Sequence, residues 1–293
     1  MWLKPDKAEM KGMITLHNRY LPVLTERKRM IDKNKEIIKW FSNVGNRYVD
    51  NILSIVEIEK LKQDQDYANK MFFYYWAFER QGAPMGYKIA AIKTLETVKN
   101  GNYSTEFSTY YKGKPNKRNN PILDERIGNL NIAEIVCKIE QKKFEEAFND
   151  LSLNGIGHKI RAFFIRDIVH LLKLEGKNKI KFDDYLFMNP IDVWVRLTVE
   201  YLNLNFPVNI TLNPNKYHIE KKDFNTALIL TNTCMEFNLS PLLTNMGIWY
   251  YASHFIADSN RLKLLLESKS VEKLENEMKL MKGFSEFKRV LIE

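Results

Sequence analysis

The chain has 293 residues, 45% of them hydrophobic, and it carries a formal net charge of +9. This length is enough to bury a sizeable core, and the apolar content argues against a wholly disordered chain. The positive charge favours a polyanionic partner such as nucleic acid, although many lysine-rich proteins bind none.

Cys137 and Cys234 are the only two cysteines, too few for a four-cysteine iron–sulfur cluster or zinc site within one chain. Two cysteines also argue against a disulfide-stapled secreted protein. The five histidines show no ligand spacing, so no catalytic metal is predicted. The N-terminus lacks the apolar core of a signal peptide, and no apolar run is long enough to cross a bilayer. We therefore expect a monomeric protein of the cytoplasm, nucleoid or nucleus, neither secreted nor membrane-bound.

The first hundred residues show mostly helical patterns. Apolar positions over 7–60 recur at helical spacing and predict two or three helices. Residues 64–83 are rich in aromatic side chains, a pattern more typical of a buried helix than of a base-stacking platform. Pro84 is well placed in the first turn of a further helix over 85–98. Residues 100–121 predict a long solvated loop, although its basic residues could contact phosphates.

The remainder of the chain continues the helical pattern. Asn131 and Glu134 resemble a capping box at the start of an apolar helical face. Further helices are predicted over 142–151, 158–174, 192–204, 220–237, 241–256, 259–268 and 271–281, with a loop over 206–216. No stretch alternates convincingly between apolar and polar residues, so the predicted fold is all-α.

A Gly-x-Gly turn lies between the two helices predicted on either side of residue 155. Gly155 and Gly157 let the backbone approach a phosphate closely, and the N–H groups of the turn and of the second helix then point at the anion. Ile156 is expected to pack back between the helices. These features predict a helix-hairpin-helix motif over about 143–174 that contacts the DNA backbone. The alternative is an ordinary helical hairpin with a glycine turn.

Two charged residues stand at helix starts. Lys159 follows the glycine turn, and Asp192 follows Asn189-Pro-Ile. Alone, Lys159 would be interpreted as a phosphate contact and Asp192 as a helix N-cap. As a pair in this order, they resemble the lysine-bearing branch of the helix-hairpin-helix DNA glycosylase superfamily, whose turn reads Gly-hydrophobic-Gly-x-Lys. The interval of 33 residues is most similar to the archaeal 8-oxoguanine glycosylase type.

The resemblance implies a bifunctional DNA N-glycosylase and apurinic/apyrimidinic lyase that acts on damaged double-stranded DNA, with 8-oxoguanine as the favoured lesion. Lys159 is then the nucleophile that displaces the base and forms a Schiff base with the opened sugar, before β-elimination nicks the strand. Asp192 stabilises oxocarbenium character or shuttles protons. The helix N-terminus, partial desolvation and the nearby cations Arg161 and Arg166 are expected to disfavour the ammonium form of Lys159.

The same resemblance implies additional site residues. His158 and Arg161 join the backbone-binding hairpin, where Arg161 replaces a usually small residue and either adds a phosphate contact or shifts helix packing. Gln81 falls where relatives carry a wedge that fills the gap left by the flipped base, with a surface amide as the equal alternative. Candidate base-pocket residues, for most of which core packing is the favoured alternative, are Phe163, Trp194, Trp249 and Tyr250.

Glycosylases of this type have two helical subdomains with a central cleft. We expect 66–190 to form the bundle that carries the hairpin, and 1–65 with 191–293 to form the other lobe. No organic cofactor, catalytic metal or iron–sulfur cluster is implied, but relatives hold a monovalent cation at the hairpin carbonyls. Two alternatives stay open: a glycosylase for an oxidised pyrimidine, alkylated base or mismatched thymine, and a non-catalytic helix-hairpin-helix DNA-binding protein.

Overall fold

The computed structural model describes the backbone over residues 7–78, 84–100, 121–122, 124–177, 180–204 and 212–290, and side chains over most of these ranges beyond residue 27. All regular secondary structure in these ranges is helical, which confirms the predicted all-α class. None of the described helices combines the length and the apolar character needed to span a membrane.

The helices are numbered here in chain order. The first six are α1 (Lys7–Ile52), α2 (Ile58–Gln63), α3 (Gln65–Met71), α4 (Pro84–Asn100), α5 (Ile132–Glu140) and α6 (Phe144–Asp150). The others are α7 (His158–Leu171), α8 (Leu174–Lys177), α9 (Val193–Tyr201), α10 (Lys221–Glu236), α11 (Pro241–Tyr251), α12 (Ser259–Glu267) and α13 (Val271–Val290). Two π-helical continuations extend α3 and α11, over Phe72–Phe78 and Ala252–Ile256. Short 3-10 turns lie at Leu53–Ile55, Glu125–Asn129, Asp184–Phe187 and Pro214–Tyr217.

Helix α1 covers most of the N-terminal stretch. The expectation of two or three helices over 7–60 is confirmed, because α1 runs unbroken to Ile52 and α2 begins at Ile58. Gly45 does not interrupt α1. Instead, it lies where α1 packs against α11, the most extensive helix contact among the described residues.

The contact between α1 and α11 depends on two glycines. A Cβ atom at Gly45 would overlap the Leu243 carbonyl, and one at Gly247 would overlap the Phe41 carbonyl. Because glycine has no Cβ, the two backbones approach more closely than other residues would allow. The rings of Phe41 and Tyr251 meet edge to face beside this contact. The N-terminal helix is thereby joined to the C-terminal part of the chain.

The aromatic stretch after α3 is buried, as its composition predicted. Phe72 and Trp76 lie on its π-helical continuation, and their rings meet Phe164 of α7 edge to face at centroid distances of 5.1 and 5.0 Å. Edge-to-face pairs of this kind contribute about 0.5–1.5 kcal/mol each beyond the burial of their area. This stretch therefore forms the core on which α7 rests.

Helix caps predicted from the sequence are present. The Asn131 side chain accepts a hydrogen bond from the Glu134 amide at 3.1 Å, and Asp192 caps α9. Contacts between helices fall largely into two groups, α2 to α7 and α1 with α9 to α13. The lobe boundaries stated above stay a prediction.

Candidate active site at the start of helix α7

The connection between α6 and α7 is a tight turn over residues 151–157. The Ile156 amide donates to the Leu153 carbonyl at 2.9 Å, and the Leu153 amide donates to the Leu151 carbonyl at 2.9 Å. Gly155 has a φ of 91°, in the left-handed region that L side chains rarely adopt. Ile156 is buried, so its side chain packs inward between the helices.

Helix α7 begins with unpaired backbone donors. Its N-cap, Gly157, is exposed and has no side chain with which to cap the helix. The Gly157 carbonyl accepts from Ile160 and Arg161, but the amides of His158 and Lys159 have no acceptor within the described residues. The first turn also lacks an acidic side chain. This helix end therefore presents N–H groups and partial positive charge, which suit an anion such as phosphate.

Lys159 and Asp192 interact across the start of α7. Lys159 is exposed, whereas Asp192 is only 8% exposed. Burial raises the pKa of the Asp192 carboxyl, while hydrogen bonds from backbone amides and the positive charge of Lys159 act in the opposite direction. The two side chains, distant in sequence, are thus close enough in space for an electrostatic interaction.

The carboxyl group of Asp192 is anchored on one side. Its Oδ1 accepts from the amides of Trp194 at 2.9 Å and Val195 at 3.0 Å. In the described part of the chain, Oδ2 accepts no hydrogen bond, and Lys159 forms neither a hydrogen bond nor a close ion pair. One carboxyl oxygen is therefore used to hold the helix start, and the other is available for chemistry.

The side chain of Arg161 points inward. It is 5% exposed, and its guanidinium lies 4.3 Å from the centroid of the Phe148 ring. Burial lowers the pKa of this guanidinium to about 10. Of the two roles expected for Arg161, this arrangement matches the packing role, because the aromatic surface of α6 takes up the long side chain, and the phosphate contact stays a prediction.

The imidazole of His158 also points inward. Its ring centroid lies 5.4 Å from that of Phe148, and its Nε2 is buried without a hydrogen-bond partner. Burial, followed by the positive charge of Arg161, lowers the pKa of His158 to about 4. Only the backbone amide of His158 is therefore left for the predicted phosphate contact.

Three of the predicted pocket residues lie in one aromatic group. Phe163 and Trp249 meet edge to face, with centroids 5.1 Å apart, and Tyr48 contacts both Trp249 and Tyr250. All four rings are buried. These side chains therefore pack in the core, which was the alternative to a base pocket. Phe163 and Trp249 touch and leave no gap for a base. Trp194, the fourth predicted pocket residue, is partly buried and packs against the core.

A buried ion pair lies two turns after Lys159. Arg166 and Asp167 are both fully buried and bond each other through Asp167 Oδ1 at 2.8 and 3.0 Å. Asp167 Oδ2 accepts from the Tyr48 hydroxyl at 2.7 Å and from the Trp76 indole at 2.9 Å. The sequence alone suggested Arg166 only as a cation near Lys159. The available signal was an Arg-Asp pair with apolar residues on both sides in the middle of a helix.

A second unpredicted residue braces the glycine turn. Asp124 accepts a hydrogen bond from the Asn154 amide at 2.6 Å and a two-pronged contact from the Arg126 guanidinium. Hydrogen bonds from Arg126 and from the backbone hold the pKa of the Asp124 carboxyl well below its usual range. The turn is therefore held by a charged residue from the segment before α5 as well as by its own hydrogen bonds.

Other features of the candidate site are more distant or lie outside the described residues. The wedge candidate Gln81 and most of the basic loop 100–121 lie outside them. A cavity of about 380 Å³ near the hairpin is lined by α5 and α6, including Lys138 and Asp150, and contains neither proposed catalytic residue. Among the described residues, no three His, Cys, Asp or Glu side chains form a group that could hold a metal ion.

Comparison with known proteins adds no relative. No protein-family model, curated protein or solved structure matches this chain. A function for this protein is therefore inferred from the residues around the start of α7.

Proposed function

We propose that this protein is a bifunctional DNA N-glycosylase and apurinic/apyrimidinic lyase, with Lys159 as nucleophile and Asp192 as the assisting carboxylate. The observation that carries the proposal is the placement of Lys159 in the exposed first turn of α7 and of Asp192 at the N-cap of α9, near enough for the charge of Lys159 to act on the Asp192 carboxyl. The glycine turn before Lys159, which resembles that of the helix-hairpin-helix DNA glycosylases, supports the same function. Its partner would be damaged double-stranded DNA, bound by a monomer in the cytoplasm, nucleoid or nucleus.

The start of α7 offers a route to hold DNA next to Lys159. The unpaired amides there and the exposed backbone at Gly157 suit a phosphate group. The net charge of +9 strengthens attraction to the polyanion at long range. A phosphate at this helix end would place the adjoining sugar within reach of the lysine side chain. A monovalent cation at the hairpin carbonyls stays a prediction from the resemblance.

The chemistry follows from the two side chains. The neutral Lys159 amine attacks C1′ of the damaged nucleotide, a C–N bond to the enzyme forms, and the bond to the base breaks with its electron pair leaving on the base. Opening of the sugar gives a Schiff base. Removal of a C2′ proton then expels the 3′ phosphate by β-elimination. Asp192 stabilises positive charge at the sugar in its ionised form or carries protons between these steps, and its raised pKa favours the second of these roles.

The choice of base rests on the resemblance alone. An oxidised purine, 8-oxoguanine first, is the proposed substrate. Phe163 lies one turn after Lys159, and its contact with Trp249 would have to open to admit a base between the rings. Gln81 stays the proposed wedge.

Borohydride trapping tests the proposal. Incubation with a duplex that contains 8-oxoguanine opposite cytosine is expected to give a covalent protein–DNA adduct on reduction, and Lys159→Gln should abolish this adduct and strand cleavage. Lys143→Gln is the matched control, because Lys143 is an exposed lysine of the same hairpin, at the N-cap of α6. This control should trap DNA as the wild type does.

A panel of lesions separates the alternatives. Trapping on an oxidised pyrimidine, an alkylated base or mismatched thymine instead of 8-oxoguanine would retain the mechanism and change the substrate. Duplex binding without adduct or nicking on any lesion would overturn the catalytic proposal and leave a DNA-binding protein. Intact strand cleavage by Lys159→Gln would place the nucleophile at another residue.

A further inference from the structure

A chain of buried hydrogen bonds leads from the helix of Lys159 to the segment of Asp192. On α7, the Arg166 guanidinium donates to the Asn245 side-chain oxygen at 2.7 Å. The Asn245 amide nitrogen donates onward to the Asn189 side-chain oxygen at 2.6 Å and to the Pro190 carbonyl at 3.1 Å. Asp192 stands two residues after Pro190. Every residue in this path is buried.

In this path, the side chain of Asn245 is the link between α7 and the segment that begins at Asn189. Its oxygen faces the charge of Arg166, and both of its N–H groups face the segment before Asp192. Asn189 is also held by a second helix, because its side-chain N–H donates to the Thr231 hydroxyl of α10 at 3.0 Å. A buried amide side chain whose oxygen and nitrogen are both hydrogen-bonded has one favourable orientation. It therefore fixes the elements that it bonds relative to each other.

We infer that Asn245 is a positioning residue that sets the placement of Asp192 relative to Lys159. The ion pair of Arg166 with Asp167 is the fixed base of this arrangement, because it lies on the same helix as Lys159 and is fully bonded. The catalytic meaning of this inference rests on the proposed function. The mechanical part, which is the fixing of the segment 189–192 by Asn245, does not.

Asn245→Asp tests the inference with the smallest change of shape. The aspartate keeps an oxygen for Arg166 but loses both donors to Asn189 and Pro190, so the segment is released while the ion pair stays satisfied. We expect the single-turnover rate of 8-oxoguanine release to fall roughly a hundredfold, as a misplacement of about 1 Å can cause. Duplex affinity should stay within about twofold, because the hairpin is unchanged. The acidic limb of the pH–rate profile should also move, since the environment of the Asp192 carboxyl changes.

The matched control is Asn34→Asp. Asn34 is another buried amide, and it donates to the Leu202 carbonyl at 2.8 Å, at the far end of α9 from Asp192. This variant should lose a comparable amount of thermal stability and keep the wild-type rate and pH profile. If Asn245→Asp does not fold, Asn189→Ala takes its place, because it removes the acceptor of Asn245 without touching Arg166.

Hydrogen exchange provides a readout that needs no activity. The Trp194 and Val195 amides are bonded to Asp192, so release of the segment should speed their exchange in Asn245→Asp but not in Asn34→Asp. If wild-type protein releases no base from any lesion, the proposed function fails, and faster exchange still supports the mechanical part of the inference. Unchanged exchange together with an unchanged rate or pH profile in Asn245→Asp would overturn the inference.

Discussion

Helix α7 contains two regions that differ in how their polar groups are satisfied. In its first turn, Lys159 is exposed and the first amides are unpaired among the described residues. Two turns later, Arg166 and Asp167 are fully buried and bonded to each other and to several neighbours. This contrast shows where the binding capacity lies: groups available to a ligand are held by a framework whose own polar groups are already bonded. Removing a framework partner should cost stability, and substituting the exposed Lys159 should cost little.

The largest effect is expected from Arg166→Met. This substitution leaves the Asp167 carboxylate buried without its cation, which should reduce the free energy of unfolding by about 3–5 kcal/mol in a urea titration. Lys138→Met is the control, because Lys138 pairs with Glu134 and Asp150 at the surface and should lose no more than about 1 kcal/mol. Equal losses in the two variants would contradict the assigned framework role of the ion pair.

Protonation of the buried His158 should lower the stability of the protein at acidic pH. Its pKa in the folded protein is about 4, below the ordinary value of 6.5, because burial disfavours the charged ring. The unfolded chain therefore binds the proton more readily. The stability that neutral His158 provides is complete above pH 6.5 and is lost as the pH falls towards about 4, by up to about 3 kcal/mol.

Unfolding titrations at a series of pH values check this expectation. His158→Gln should flatten the decline between pH 6.5 and 4, because glutamine does not titrate in this range. His254→Gln changes an exposed histidine and should retain the wild-type slope. A slope that is the same in all three proteins would remove His158 as its cause.

The smallest changes in stability are expected from alanine substitutions at the two glycines of the turn, and the two positions should differ. Gly155→Ala places a side chain at a φ of 91° and should cost about 1–2 kcal/mol, although the new Cβ would meet only ordinary contact with Ile122. Gly157→Ala meets no atom within 4 Å and has an ordinary φ of −75°, so it should cost almost nothing. Thermal melts measure both changes.

Gly157→Ala should be the more stable of the two variants but should bind DNA more weakly than Gly155→Ala. A methyl group at Gly157 would lie at the exposed helix end where the phosphate is proposed to sit, so duplex affinity should fall about tenfold. Gly155→Ala should reduce affinity less at temperatures where it is folded. Unchanged affinity in Gly157→Ala would place the DNA contact elsewhere.

Local sequence signals predicted much of the fold. Helical periodicity gave the all-α class, and side-chain chemistry gave the caps at Asn131 and Asp192, which the structure contains. The aromatic run before Pro84 was also correctly interpreted as buried. These features depend on residues within a few positions of each other, which a pattern along the chain can record.

Features that depend on distant residues were not predictable in this way. The inward turn of Arg161 depends on the position of Phe148, and the buried pairing of Arg166 depends on Asn245 from another helix. The unbroken length of α1 likewise depends on α11, because a glycine in a helix is favourable only where another backbone needs its space. The proposed pair of Lys159 and Asp192 was found from its resemblance to a family motif, with the two residues in the same order and both at helix starts.

The glycine contact between α1 and α11 also has a consequence for how the chain folds. Its two sides are separated by roughly two hundred residues, so the contact closes a long loop and forms only when nearly the whole chain is present. During synthesis, α1 is made long before α11, and its apolar side stays uncovered until α11 has been made. Helix α1 is therefore exposed to aggregation while most of the residues between the two helices are being made.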